Sequence, residues 1–279
     1  MFEHYFGLRT APFQLSPDPD FYFESRGHRQ ALAYLQFGVH QGEGFIVVTG
    51  EIGAGKSTVV RTLLKSLDPD RVVAAQILNT QLDENQLLVS ICHAFGIASP
   101  GNAKAQLLAS LEAFFTVVAA GGRRALLVVD EAQNLGHREI EELRMLSNFQ
   151  LENRALLQSF LVGQPELRAM IGSPAMEQLR QRVIAACHLG PLSAEETRGY
   201  IDHRMRFAGC NGAPIFDDEA VAQIFAFTGG VPRRINLLCT RLLLAAFLGS
   251  EERVVAARVQ TVVNELDEES GRVSAAVTS

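Results

Sequence analysis

The residues best suited to phosphate chemistry lie in one short stretch of the chain. Gly50, Gly55, Lys56 and Ser57 fit the pattern G-x-x-x-x-G-K-[ST] without a mismatch. Glycines let the backbone wrap a phosphate chain, the lysine charge suits the β- and γ-phosphates, and the serine hydroxyl can ligate Mg²⁺. The spacing therefore predicts an ATP–Mg²⁺ site, with a ligand-free glycine-rich turn as the alternative. The residues expected to line it are Gly50, Glu51, Ile52, Gly53, Ala54, Gly55, Lys56, Ser57 and Thr58.

A second group of reactive side chains follows an apolar strand further along the chain. The run Ala125–Val129 is continuously apolar and leads directly into Asp130 and Glu131. A carboxylate at the tip of a strand beside a phosphate loop can hold Mg²⁺, so Asp130 is expected to share the metal with Ser57. Glu131 is expected to accept a proton from the attacking water. The alternative is that both acids only begin the following loop.

These residues lie within an alternation of strand and helix patterns. Strands are expected at Phe45–Thr49, Val72–Leu78, Ala125–Val129, Leu156–Val162 and Val183–Leu189. Helical periodicity is found between them, at Lys56–Leu67, Asn85–Phe95, Lys104–Ala120 and Ile140–Phe149. Continuously apolar strands separated by helices are typical of a parallel sheet that is covered on both faces. The pattern therefore predicts an α/β domain.

The sequence after Pro191 predicts helices only. They are expected at Ser193–Ala208, Asp217–Phe227, Pro232–Phe247 and Ala256–Leu266, and Ser193 with Glu196 predicts a capping box. At the other end, prolines alternate with aromatic residues before a helix for which Ser25 is a plausible N-cap. The expected domains are an N-terminal linker and helix (1–40), a nucleotide-binding αβα domain (41–191), a helical domain (192–268) and a flexible tail (269–279).

Composition restricts the class of protein. The hydrophobic content is 47%, and no uninterrupted apolar stretch approaches the roughly 18 residues that span a bilayer. The N-terminus lacks the pattern of a signal peptide, so we expect a cytoplasmic protein. The four cysteines are widely spaced and are expected to be buried thiols rather than metal ligands. A net charge of −6 argues against a protein that coats nucleic acid, although a local basic patch stays compatible with it.

The Asp-Glu-Ala-Gln sequence after the third strand, together with the helical C-terminal region, resembles the AAA+ ATPases. The resemblance implies a three-layer αβα P-loop domain followed by an all-helical lid domain. It also implies roles for Gln164 as sensor 1, Arg182 as an arginine finger, Arg233 as sensor 2 and Asn79 as a restraint on the catalytic glutamate. Arg180 competes with Arg182 for the finger role. As alternatives, Gln164 is a solvated strand-end amide, Arg182 a surface cation, and Arg233 a residue that only flanks a helix start.

Further segments resemble one bacterial subgroup of these ATPases. They are Phe6–Leu8, Pro12–Pro19, Leu161–Leu167 and Gly230–Asn236. The subgroup contains general secretion pathway protein A, the ATPase of mannose-sensitive haemagglutinin pilus biogenesis and an exosortase-associated ATPase. The resemblance implies a homo-oligomer, with an ATP-dependent hexameric ring as one form, and an envelope-assembly or inner-membrane partner that would recruit a cytoplasmic protein to the membrane. Longer members continue into a transmembrane segment and a peptidoglycan-binding region, so here we expect direct cell-wall contact to be either removed or made by a partner.

Several functions stay open at this point. The first is an ATPase that drives or regulates assembly of an envelope machine for secretion, type IV pili or exopolysaccharide export. The second is a DNA-associated helper ATPase of the transposition type, and the third is a nucleotide switch that does not hydrolyse ATP. A P-loop kinase fits less well, because Glu131 suits water activation. The acidic composition favours the first over the second.

Overall fold

The computed structural model describes residues 2–78, 80–98, 101 and 103–277, with side chains described as far as residue 269. These residues form two compact units. The sheet unit comprises residues 26–52 and 56–190, and the helical unit comprises residues 2–25, 53–55 and 191–277. The packing therefore groups the helix after Ser25 with the sheet and the residues before it with the C-terminal helices. The domain boundaries expected from the sequence stay a prediction.

The sheet unit is built around parallel strands. In chain order its strands are β1 (Phe45–Gly50), β2 (Val72–Ile77), β3 (Arg124–Val129), β4 (Gln150–Leu151), β5 (Arg154–Ala155), β6 (Leu157–Gly163) and β7 (Val183–Leu189). Five of them form one parallel sheet in the order β2-β3-β6-β1-β7, and β4 pairs with β5 in an antiparallel hairpin. Every residue of β1 and β6 is buried, including the polar residues Thr49, Gln158 and Ser159, as expected for interior strands of a sheet that is covered on both faces. The predicted parallel α/β sheet is confirmed.

Helices cover the sheet and form the second unit. In chain order they are α1 (Phe2–Tyr5), α2 (Arg26–Gln41), α3 (Lys56–Ser66), α4 (Glu84–Ala94), α5 (Lys104–Ala120), α6 (His137–Leu146), α7 (Pro165–Ile171), α8 (Glu177–Arg180), α9 (Ala194–Phe207), α10 (Asp218–Thr228), α11 (Pro232–Leu248) and α12 (Ala256–Val277). The last helix continues beyond Leu266, where the apolar periodicity ends, because no proline interrupts it. The short helix α7 was missed by the sequence patterns, although its Pro165 is a typical first helical residue.

The helical unit contains α1 and α9–α12. The predicted capping box of α9 is present, since Ser193 Oγ accepts from Glu196 N–H at 3.1 Å and Glu196 Oε2 accepts from Ser193 N–H at 3.0 Å. A short parallel pair joins β8 (Ile215–Phe216) to β9 (Arg253–Val254), so the region after Pro191 is mainly helical, whereas the sequence patterns predicted helices only. Among the residues that the structure describes, no helix has the length and apolarity needed to cross a membrane.

The N-terminal segment is part of the core of the helical unit. Phe13 and Phe21, two of the aromatic residues that alternate with prolines in this segment, are buried. Arg204, only 4% exposed, lies over the Phe21 ring at 4.8 Å and donates to Tyr200 Oη at 3.0 Å. Tyr200 Oη in turn donates to Asn236 Oδ1 at 2.8 Å. A buried cation and two polar side chains therefore connect the segment, α9 and α11.

Candidate nucleotide-binding and hydrolysis site

The phosphate loop begins where β1 ends and leads into α3. The first glycine of the loop, Gly50, is required for steric reasons, because a Cβ atom there would lie 2.4 Å from the backbone oxygen of Leu189 on the neighbouring strand β7. Gly53 and Gly55 are required by conformation, with φ angles of 82° and 99° that side chains rarely allow. The strand–loop–helix context expected of a triphosphate-binding loop is therefore present.

Lys56 supplies the positive charge of the loop. It is buried, and its Nζ donates to the backbone oxygens of Gly50 at 2.7 Å and Glu51 at 3.0 Å. Burial lowers the pKa of Lys56, while the charges of Glu131 and Asp130 act to raise it. An ammonium group shielded from water and facing loop carbonyls is suited to exchange those contacts for phosphate oxygens.

Ser57 and Asp130 form the part of the site that could hold a metal ion. Ser57 Oγ donates to Asp130 Oδ2 at 3.1 Å, although 73 residues separate them in sequence. Asp130 directly follows β3 and is buried. Burial raises the pKa of Asp130, and hydrogen bonds from the Glu131 N–H and from Ser57 act to lower it. A hydroxyl and a carboxylate brought together are oxygen ligands of the kind that Mg²⁺ prefers.

Glu131 lies beside this pair in an unusual backbone conformation. Its φ of 50° and ψ of 38° are left-handed, which favours glycine, asparagine or aspartate over glutamate. The carboxylate Oε2 accepts from Gln133 Nε2 at 2.6 Å and from Gln164 Nε2 at 3.2 Å. Burial acts to raise the pKa of Glu131, but these two hydrogen bonds and the charge of Lys56 outweigh it and lower the pKa. Glu131 is therefore ionised at neutral pH, as a proton acceptor must be.

Two of the groups around Glu131 were missed by the sequence analysis. Gln133 belongs to the Asp-Glu-Ala-Gln sequence, but nothing in the sequence indicated that its side chain would reach Gln164, whose backbone N–H donates to Gln133 Oε1 at 2.9 Å. The buried hydroxyl of Thr80 donates to the Glu131 backbone oxygen at 2.8 Å. Asn79, expected to restrain the glutamate, lies outside the described residues.

Arg180 and Arg182 lie away from the phosphate loop of their own sheet unit. The Phe45 N–H donates to the Arg182 backbone oxygen at 2.9 Å, so Arg182 is at the opposite end of β1 from Gly50. Strand rise places these two ends roughly 17 Å apart. The Arg182 side chain donates to Ser147 Oγ at 2.7 Å and also to Asn148 Oδ1. The exposed Arg180 donates to the Gly172 backbone oxygen at 3.2 Å.

Arg233 lies in the first turn of α11, in the helical unit. Pro232 is the first residue of this helix, and the Arg233 side chain is exposed. The helical unit also includes Gly53, whose backbone oxygen accepts from the Arg233 N–H at 3.2 Å. A Cβ atom on Gly53 would lie 2.4 Å from the Cβ of Arg233, so this approach requires glycine.

Comparison with known proteins shows which family this chain is similar to. Residues 39–171 match the AAA domain family. Over 256 residues, or 91% of its length, the chain is 41% identical to general secretion pathway protein A of Aeromonas hydrophila, and it spans 46% of that relative. The AAA domain together with this relative confirms the resemblance to the AAA+ group that contains general secretion pathway protein A. It also supports classification as an ATP hydrolase.

Solved structures show the same fold at low sequence identity. Cdc6p of Pyrobaculum aerophilum has a TM-score of 0.68 at 18% identity, with 90% of this chain and 70% of that chain covered. The ORC2 protein of Aeropyrum pernix gives 0.64 at 16% identity, covering 86% and 66%. The Thermotoga maritima RuvB Holliday junction branch migration motor gives 0.58 at 17% identity, covering 91% and 73%. The predicted AAA+ architecture of an αβα domain followed by helices is therefore confirmed.

Proposed function

We propose that this chain binds ATP with Mg²⁺ and hydrolyses it at an interface between identical subunits, in order to drive or regulate assembly of a bacterial envelope machine. The observation that carries the proposal is the convergence of Lys56, Ser57, Asp130 and Glu131 beside one phosphate loop. Lys56 and Ser57 follow the loop after β1, Asp130 and Glu131 follow β3, and β6 separates these two strands in the sheet order. A merely glycine-rich turn would not require acids at the end of β3.

Each side chain of the proposed site has a distinct role. Lys56 binds the β- and γ-phosphates in place of the loop carbonyls that it now contacts. Ser57 and Asp130 would hold Mg²⁺, which when bound supplies positive charge beside the phosphates. Glu131 takes a proton from the attacking water as the water oxygen bonds to the γ-phosphorus, and the bond to the β,γ-bridging oxygen breaks to release ADP. Gln164, whose amide already reaches Glu131, would contact the γ-phosphate.

Two arginines are proposed to supply the other positive charges that contact the phosphates of the nucleotide. Arg233 would reach the nucleotide from the start of α11, next to Gly53. An arginine of the 180–182 segment would reach the γ-phosphate of a neighbouring subunit, since its position at the far end of β1 keeps it from its own. Arg182 is our first candidate, and it must then leave Ser147 and Asn148. A head-to-tail contact of this kind closes into a ring, such as a hexamer.

The envelope role rests on the similarity to general secretion pathway protein A. The identity extends over 91% of this chain, which covers both the sheet unit and the helical unit. The name of this relative indicates a secretion machine. Machines for type IV pilus assembly or exopolysaccharide export are the alternatives within the subgroup. An inner-membrane partner would recruit the ATPase to the cytoplasmic face of the membrane.

The shared active site can be tested by mixing two inactive variants. Lys56→Ala removes the phosphate contact, and Arg182→Ala removes the arginine offered to the neighbour, so each variant alone should hydrolyse ATP poorly. In a random equal mixture, about one quarter of the ring interfaces pair an intact phosphate loop with an intact arginine, and hydrolysis should recover to about that fraction. Arg180→Ala in the same mixture identifies the arginine. An active Arg182→Ala protein rules out Arg182, and the shared site is refuted if Arg180→Ala is active as well or if neither arginine variant recovers activity in the mixture.

A further inference from the structure

Among the residues that the structure describes, two amides hold the carboxylate of Glu131 from one side. Both hydrogen bonds that the structure records for it in the described residues fall on Oε2, from the amides of Gln133 and Gln164. The Gln133 contact, at 2.6 Å, is the shorter of the two by 0.6 Å. With Oε2 occupied by two donors, Oε1 is the oxygen left to accept the proton of a water molecule.

Gln133 contacts the site at both ends of its amide. Its Nε2 donates to Glu131, and its Oε1 accepts from the backbone N–H of Gln164. The second bond assigns the amide orientation, because an amide turned by half a rotation would place two donors against each other. Gln133 therefore links the glutamate to the end of β6, which is a rigid strand of the central sheet.

Gly163 makes room for this arrangement. A Cβ atom on Gly163, the last residue of β6, would lie 2.7 Å from Gln133 Oε1 and 2.9 Å from Leu167 Cδ2. Its φ is not positive, so the backbone would accept other residues, and the requirement for glycine is steric. The strand end is thus shaped to admit the Gln133 amide.

We propose that Gln133 is a positioning residue for hydrolysis, which fixes the Glu131 carboxylate against the end of β6 and turns Oε1 toward the attacking water. The proposal rests on the proposed role of Glu131 as proton acceptor. Fixation of this kind matters here because Glu131 has a left-handed backbone in a short loop, where its side chain would otherwise sample several rotamers. A displacement of about 1 Å of a reacting group can cost about 10²-fold in rate.

A purely structural role for Gln133 makes a different prediction. Its acceptor end alone could satisfy the Gln164 N–H and so hold the loop between β3 and α6 in place. Gln133→Glu separates the two roles, because it keeps an acceptor for Gln164 N–H while it replaces the donor to Glu131 with a carboxylate oxygen. Gln133→Met has the length of glutamine and lacks both bonds.

The experiment compares ATP hydrolysis of the 279-residue chain and its variants at pH 8 with Mg²⁺. We expect Gln133→Met and Gln133→Glu each to lower kcat by about 10–10²-fold, with the KM for ATP within about twofold of wild type. The control is Asn134→Ala, which removes only a 3.4 Å bond to Thr80 and should leave kcat unchanged. Gly163→Ala, which displaces the Gln133 amide without changing it, should lower kcat in the same way.

The Glu131→Gln background shows whether Gln133 acts through Glu131. If it does, adding Gln133→Met to Glu131→Gln should cause no further loss of kcat. A further loss overturns the proposal, as does wild-type kcat in Gln133→Glu. If Glu131→Gln itself turns over normally, the proposed proton acceptor is wrong and the function must be revised first. If Glu131→Gln is slow while both Gln133 variants are normal, only the positioning role fails.

Discussion

Gly50 offers a direct test of whether the structure of the phosphate loop is as described. In Gly50→Ala, the added Cβ would lie 2.4 Å from Leu189 O and 3.2 Å from Leu189 Cβ. Ordinary contacts begin at 3.4 Å, so either the end of β7 or the start of the loop must move by about 1 Å. Gly50 and Leu189 both belong to strands of the parallel sheet, where a backbone oxygen cannot turn aside as a flexible side chain can.

The expected cost follows from this clash. Overpacking in a well-packed region costs about 1–3 kcal/mol in the free energy of unfolding. For a unit of this size, about 2–4 °C is lost per kcal/mol, so the melting temperature should fall by about 2–12 °C. Because the loop moves, ATP affinity should fall as well. Thermal unfolding followed by circular dichroism, together with titration of a fluorescent ATP analogue, measures both effects.

Gly190→Ala is the matched control for this variant. Gly190 follows Leu189 directly, a Cβ there would meet no atom within 4 Å, and its φ is not positive. Its melting temperature and ATP affinity should stay at wild-type values, within about 0.5 kcal/mol of stability. If Gly50→Ala behaves like Gly190→Ala in both measurements, the contact between the loop and β7 is not as described.

Three other changes have clear expected outcomes. Lys56→Ala should weaken ATP binding by about 10–10²-fold in equilibrium titration, because a charge-assisted contact is lost while the fold persists; unchanged affinity would move the site elsewhere. Ser193→Ala should lower the free energy of unfolding by about 1 kcal/mol in urea denaturation, whereas Ser193→Thr, which keeps the cap, should lower it less. Arg204→Ala should cost about 3 kcal/mol, because it leaves a cavity beside Phe21 and removes one of the two hydrogen bonds of the buried Tyr200 hydroxyl, and wild-type stability would contradict the buried contacts described.

The local sequence determined the parts of this protein in which the backbone depends on nearby residues. Largely apolar runs of strand length predicted all five strands of the parallel sheet, and the three central strands β3, β6 and β1 are the ones whose burial requires that hydrophobicity. The spacing of the glycines predicted the phosphate loop. The two acidic residues after β3 predicted that carboxylates would lie beside that loop. Ser193 and Glu196 predicted a capping box for the same reason, as both bonds close within one helical turn.

The tertiary structure decided which distant side chains meet. The order β2-β3-β6-β1-β7 places β6 beside β3, and this pairing brings Gln164 to Glu131 and lets Gln133 bridge them. Likewise, no spacing indicated that Arg204 would lie over the Phe21 ring, because that contact depends on how the N-terminal segment folds back onto α9. Periodicity specifies which face of an element is buried. The partner across that face follows from strand order and packing, and these cannot be read from local patterns in a single sequence.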